Sequence, residues 1–426
     1  MTTSSMRRPI SASVAVICLV AAGCGTRPGA AADPVSHTTV FVGGRVQAAP
    51  DAAVIPDGVV VFQDGLITAV GARADVAVPQ AAEVIDCAGA TVTAGFWNSH
   101  VHFIQPVWSG AEAAPAARLT EALRAMLTSH GVVRVLDTGS DLRNTVALRR
   151  RIESGELPGP LITLAGGGFV PVGGSPYYVL PARLPELTSG PATVSMVNSV
   201  ADAGAEGVKL FTGSWATRSS IVVMPLELVQ AAVQAAHTRG KFVIAHPSNS
   251  AGARVAIEGG VDILAHTFPS ELDRRPWDRA LPKMMRERGM ALIPTLKLWP
   301  YELKKVDVPP AVVGIVLGNG QAQLRAFADL GGQVLFGTDV GYMTEYDPTD
   351  EFVYMQGAGL SYASILASLT TAPAERFGAA AKAGRLARGM DADIVVLDGD
   401  PTQDIRALGR VRYTVRSGRI IYRRTS

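Results

Sequence analysis

Seven histidines occur in the 426 residues of this chain, and four of them close short apolar runs. His100 and His102 end the stretch Ala94-Gly-Phe-Trp-Asn-Ser-His-Val-His102, His246 follows Phe242-Val-Ile-Ala245, and His266 follows Asp262-Ile-Leu-Ala265. A β-strand turns residues i and i+2 to the same face, so the imidazoles of His100 and His102 point one way. Asp339 closes a further run in Gly337-Thr-Asp339. Imidazole together with carboxylate suits Zn²⁺ or a similar divalent ion, and no thiolate competes. Taken singly, each residue has an ordinary alternative: a strand-end histidine hydrogen-bonded in a polar pocket, or an aspartate capping a loop or helix. Their recurrence at strand ends favours one metal-binding rim.

Lys209 belongs to the same group. In Gly207-Val-Lys-Leu-Phe211 it shares a face with Phe211, while Val208 and Leu210 point to the other. An ammonium is costly to bury, and burial favours the neutral amine. A neutral amine can react with CO₂ to give a carbamate, whose two oxygens can bridge two metals. The alternative is a lysine that pairs with a carboxylate or reaches solvent.

Elements must bring these residues together. Eight apolar runs, at residues 91–97, 132–136, 161–164, 207–211, 242–245, 262–265, 291–294 and 334–336, alternate with helix-compatible segments such as 118–129, 144–153, 225–239 and 322–330. That alternation predicts a parallel sheet with crossover helices, and eight runs predict an α/β fold of the (β/α)8 TIM-barrel kind over residues 94–383. Barrel enzymes carry their chemistry at the C-terminal ends of the strands, where these residues fall. The Gly- and Pro-rich connection at 166–192 is expected to form a loop over that face. Phe103, Trp108, Tyr177, Tyr178 and Trp215 are candidate substrate contacts, with aromatic packing as the other reading. His130 and His237 fall on predicted helices and read as structural.

Residues 38–93 and 384–426 consist of short β-runs. Asp64-Gly65 between two apolar runs is a hairpin signal, and Ser417-Gly418 repeats the style. Each segment is too small to bury a core alone, so the two are expected to combine into a small β-sandwich.

The composition, 48% hydrophobic and 18% charged, fits a globular protein, and 39 Lys and Arg against 37 Asp and Glu give no reason to expect nucleic-acid binding. A small molecule is the expected partner. Residues 1–23 read as a signal peptide, with Arg7-Arg8 before an apolar run too short to span a bilayer. Leu19-Val-Ala-Ala-Gly-Cys24 resembles a bacterial lipobox, implying lipidation at Cys24. Residues 24–37 would then be a tether, and the protein an exported, membrane-anchored lipoprotein of the cell envelope. A secreted or periplasmic soluble protein is the alternative. Cys87 is the single thiol of the mature body, which leaves no intramolecular disulfide.

These pieces together resemble the amidohydrolase superfamily of metal-dependent hydrolases, over residues 38–421. The matching motifs are the stretch ending in His100-Val-His102, Gly207-Val-Lys209, Ala245-His246, Gly259-Gly-Val-Asp-Ile-Leu-Ala-His266, Gly337-Thr-Asp339 and Gly384-Arg-Leu-Ala-Arg-Gly-Met-Asp-Ala-Asp-Ile-Val-Val-Leu397. The stretch after His246 and Thr370-Thr-Ala-Pro-Ala-Glu-Arg-Phe377 are similar to the imidazolonepropionase-related and Xaa-Pro dipeptidase-like branch. The resemblance implies that His100 and His102 bind the more buried metal, carboxylated Lys209 bridges, His246 and His266 hold a second metal, and Asp339 binds metal and moves protons. One or two Zn²⁺-like ions are implied, and Lys209 favours two. The implied reaction is hydrolysis of an amide-type C–N bond in a dipeptide or N-acyl amino acid-like substrate by a metal-activated water. Lactone or ester hydrolysis on the same site is the nearest alternative. A binding lipoprotein without turnover is the other, though all six residues are in place. The sequence does not set the oligomeric state.

Overall fold

Valine and phenylalanine alternate through the first strands, and that period of two decides how they pack. The computed structural model describes residues 38–269 and 276–425. From the front of the chain come β1 (Thr38–Gln47), β2 (Ile55–Gln63), β3 (Leu66–Ala72), β4 (Glu83–Asp86) and β5 (Ala90–Ala94). The middle supplies β6 (Phe96–Val101), β7 (Val132–Asp137), β8 (Leu161–Pro171), β9 (Glu186–Leu187), β10 (Gly207–Phe211), the hairpin β11 (Gly213–Thr217) and β12 (Ser220–Val223), β13 (Phe242–His246), β14 (Ile263–Ala265), β15 (Ala291–Ile293) and β16 (Gln333–Val334). The end adds β17 (Ile394–Asp398), β18 (Val411–Arg416) and β19 (Arg419–Arg423).

Both terminal segments join one eight-stranded sheet, in the order β19-β18-β17-β5-β1-β2-β3 with β4 beside β1. Val40, Val42, Val59 and Val61 collect in one apolar cluster, and Phe41, Val60, Phe62 and Ile67 in another. Asp64 and Gly65 turn between β2 and β3 with φ of 52° and 85°, the left-handed pair that a tight hairpin requires.

The middle forms an α/β unit around a parallel sheet in the order β16-β15-β14-β13-β10-β8-β7-β6. Beyond β16 the chain hydrogen-bonds back to β6: Ser99 N–H donates to Phe336 O at 2.7 Å, Asp339 N–H to His100 O at 2.9 Å, and His102 N–H to Val340 O at 2.8 Å. Outward-facing Val208 and Leu210 pack in the same apolar cluster as Val229, Ala232 and Val233 of the helix Leu226–Thr238.

Three sequence expectations shift. The apolar run at 91–97 is two strands divided at Gly95, the first pairing with β17 and the second with β7. The third run extends from Leu161 to Pro171, well past residue 164, so the connection that follows is shorter than expected. It holds a 3-10 turn at Tyr177–Val179 and ends where Ser189 caps the helix Gly190–Asp202. The signal peptide, Cys24 and the tether lie outside the described residues. Among the described residues, no helix is long and apolar enough to cross a membrane.

Candidate metal centre

Five of the six expected ligands sit on or directly after β6, β10, β13 and β14, and Asp339 sits five residues beyond β16. His100, Lys209, His266 and Asp339 are each at most 5% exposed. His100 and Asp339, both buried, and His102, half-buried, form a group whose ligand atoms lie within 4.8 Å of one another. Asp339 Oδ1 is 3.1 Å from His102 Nε2 and 3.5 Å from His100 Nε2. That oxygen is buried and makes no hydrogen bond. A buried carboxylate oxygen without a donor is costly, and a cation held between it and the two imidazoles relieves that cost, so the residues fit a divalent metal.

The other two histidines complete a ring cluster. His266 lies 4.6 Å from His100 and 4.7 Å from His246 by ring centroids. Each has one nitrogen engaged: His266 Nδ1 with Thr295 Oγ1 at 2.6 Å, and His246 Nε2 with Ser248 Oγ at 3.0 Å. The remaining nitrogens, His266 Nε2 and His246 Nδ1, are left for a metal, which is how a neighbouring group selects the ligating atom of a histidine. Burial, and after it the Lys209 charge and neighbouring imidazoles, drive His100 well below the ordinary imidazole range. Burial is likewise the main cause for His246 and His266. Neutral rings keep the lone pairs that metals need.

Lys209 stands on β10, paired with Ile244 on one side and Gly167 on the other. Burial lowers its amine to about 8, against the opposing pull of the Asp339 and Asp137 carboxylates. Its Nζ lies 5.5 Å from the Phe211 ring centroid, on the shared face expected from the sequence.

The backbone is bent to deliver these groups. His266, Thr295, Ser248 and Asp339 all adopt positive φ, between 43° and 71°. Such conformations cost about 1–3 kcal/mol each and persist where the surroundings impose them. Gly341, at φ 98°, has no such latitude, because an added Cβ would collide with His102 O.

The expected aromatic contacts separate. Phe103 is 2% exposed and meets Trp108 edge-on inside an apolar cluster. Tyr177 and Tyr178 are half-buried on the 3-10 turn, 5.4 Å apart, and Tyr178 continues to Tyr342 at 5.6 Å. Burial, with Asp339 and Glu302 nearby, raises the Tyr178 phenol, which keeps it a hydrogen-bond donor. Trp215 is half-buried in the β11–β12 hairpin. His130 meets Ala125 O and His237 meets Asp262, both away from the cluster.

Sequence reasoning passed over four residues. Asp137 ends β7 as a fully buried carboxylate held by Ser140 Oγ at 2.6 Å, one residue past the predicted end of that run. Thr295 and Ser248 are recognisable only from the histidine nitrogens they meet. Tyr342 is three residues beyond Asp339, close enough in sequence to have been noticed.

The sequence pattern of the amidohydrolase family matches residues 91–421. The imidazolonepropionase of Solibacter usitatus (strain Ellin6076) is 36% identical over 107 residues, 25% of this chain and 23% of that protein, so the chain matches under a quarter of this curated relative. Among solved structures, a prolidase complexed with N-methylphosphonate-L-proline has a TM-score of 0.74 at 26% identity, covering 91% of this chain and 100% of its own. A Xaa-Pro dipeptidase with methionine bound in the active site has the same fold, with a TM-score of 0.77 at 24% identity over 90% of this chain and 99% of its own.

Proposed function

This chain belongs to the amidohydrolase family, and from that premise we propose that it hydrolyses the amide bond of dipeptides or N-acyl amino acids with Asp339 as the proton-transfer group. The observation that carries the reading is the buried Asp339 oxygen without a donor, facing His100 and His102. The prolidase and dipeptidase neighbours support hydrolysis at a C–N bond.

His100 and His102 would hold one Zn²⁺ or similar ion, His246 and His266 a second, with carboxylated Lys209 and Asp339 shared in the same cluster. The burial of Lys209, whose charge acts on His100, His246 and His266, supports its part as a bridge. When bound, the metal supplies Lewis acidity, polarising a carbonyl and making water a nucleophile near neutral pH. Asp339 accepts the proton of the attacking water and returns it to the leaving amine. Tyr178 and Tyr342, with Tyr177 and Trp215, would line the substrate's approach, the phenol of Tyr178 offering a hydrogen bond. Phe103, packed against Trp108, would support the rim from within.

In this reading the middle sheet, residues 94–383, is a (β/α)8 barrel, supported by the backbone bonds between β6 and residues 336–340. Residues 38–93 and 384–426 form the companion β-domain, with the terminal sheet folded into a sandwich. The lipobox-like sequence supports an envelope lipoprotein anchored through Cys24, and loss of the protein from the membrane fraction on Cys24→Ala tests that assignment. A turnover screen of the metal-reconstituted protein against Xaa-Pro and other dipeptides, N-acyl amino acids, cyclic amides and lactones tests the chemistry. Cleavage of dipeptides or N-acyl amino acids is expected. Preference for lactones, or silence across the panel, would overturn the amide reading.

A further inference from the structure

Glu351 is a fully buried carboxylate that touches none of the six proposed ligands, yet its hydrogen bonds lead to one of them. It lies in the first turn of the helix Thr349–Gly357. Its Oε1 accepts from Leu296 N–H at 2.9 Å and its Oε2 from Lys297 N–H at 2.7 Å. A carboxylate that takes two consecutive backbone amides fixes the plane of the turn between them. Lys297 tightens the hold, donating from Nζ to Glu345 O at 2.8 Å and Asp347 O at 2.6 Å. The residue just before this clamped pair is Thr295, itself fully buried with φ 43°. Its Oγ1 meets His266 Nδ1 at 2.6 Å, and His266 stands on a second left-handed residue, φ 71°. Two adjacent strand ends therefore carry strained residues whose side chains meet, and the clamp that holds one of them comes from a helix elsewhere in the chain.

We propose that Glu351 is a positioning residue for the metal centre, acting through the Thr295–Lys297 turn to hold the His266 ring with Nε2 facing the metal. The proposal rests on the reading of His266 as a ligand. Partners that orient a ligating histidine typically change metal affinity 10–100-fold when removed. Here the orienting group is Thr295, and Glu351 fixes where Thr295 stands. Packing alone would explain the burial of Glu351, but it does not require both oxygens to be spent on the two amides next to Thr295.

The test is competitive Zn²⁺ titration of the full chain against graded chelator, counting bound ions per chain at pH 8. Burial pushes the Glu351 carboxyl up to about 7, so at this pH it is the anion that accepts both amides. Thr295→Val and Glu351→Asp are each expected to weaken one bound ion about tenfold or more, and Thr295→Ser to restore it. Because the two residues act in series, the double variant Thr295→Val/Glu351→Asp should bind no more weakly than Thr295→Val alone. Affinity within twofold of wild type in Glu351→Asp, whatever its Tm, makes Glu351 a structural staple and overturns the proposal, as do additive losses in the double variant. If Glu351→Asp does not fold, the wild type decides. Coupling is reciprocal, so Zn²⁺ should slow hydrogen exchange at the Leu296 and Lys297 amides, and unchanged exchange overturns the proposal. A wild type that binds no Zn²⁺ overturns the metal reading as well, whereas a wild type that binds it with insensitive variants overturns this inference alone.

Discussion

Asp339 is asked for two things, a place beside two imidazoles and a free oxygen, and its backbone shows how they are met. Asp339 N–H donates to His100 O, and the residue turns through a left-handed φ of 64°, which brings Oδ1 to the imidazoles. Asp339→Asn keeps the shape but removes the proton acceptor. Turnover should fall about 10²–10⁴-fold while the melting temperature stays within a few degrees, and steady-state kinetics beside calorimetry check both halves. Near-normal turnover would sink the assignment. Lys209→Met fills nearly the same volume without a nitrogen, so the chain should fold and hold fewer ions. Elemental analysis that still finds the wild-type metal content removes Lys209 from the bridge.

At the scale of elements, much was legible because periodicity is a local property. Gly207–Phe211 has the predicted bounds, and the strands ending at His246 and Ala265 differ from prediction by a residue at most. The division of the first run at Gly95 was not legible. Residues 90–101 are buried throughout, and an all-buried run carries no sign of where one sheet hands over to the next. In the site, five of the six proposed ligands stand out by type and place, since each ends or follows an apolar run, and Lys209 stands out as a lone charge within one. Thr295, Ser248 and Glu351 did not, because a residue that orients another is defined by a contact that sequence distance hides. Cys87 gives the terminal sheet its own test. Burial pushes its thiol up to about 12 from an ordinary value of 9.0. A group whose pKa is raised in the folded state lends stability that is whole below the ordinary value and is lost as pH rises through the folded one. Wild type should therefore lose stability between pH 9 and 12 more steeply than Cys87→Ala. At pH 8 the native thiol should resist a disulfide reagent that labels the unfolded chain at once, and fast native labelling would contradict the burial.

At the scale of the whole molecule, Arg134 ties the parallel sheet to the terminal one. It leaves β7 to meet Asp391 at 2.7 Å and Asp393 at 2.9 Å, just ahead of β17. Asp393 is almost wholly buried, so Arg134→Met strands a carboxylate and should cost about 3–5 kcal/mol in denaturant unfolding. A loss below about 1 kcal/mol would show that solvent reaches the pair. The terminal sheet also orders events in biosynthesis. Val92 pairs with Val396 and Ala94 with Ile394, so β5 waits through the making of the entire hydrolase body for the neighbour that covers it. Until then its edge offers unpaired amides and carbonyls to any passing strand. A chain stopped before Ile394 should be protease-sensitive and prone to aggregate even though all six proposed ligands have already been made. The residues proposed to carry the chemistry thus precede in the chain the strands that complete the sheet beside them, and β17 closes an edge that β5 has held open since it was made.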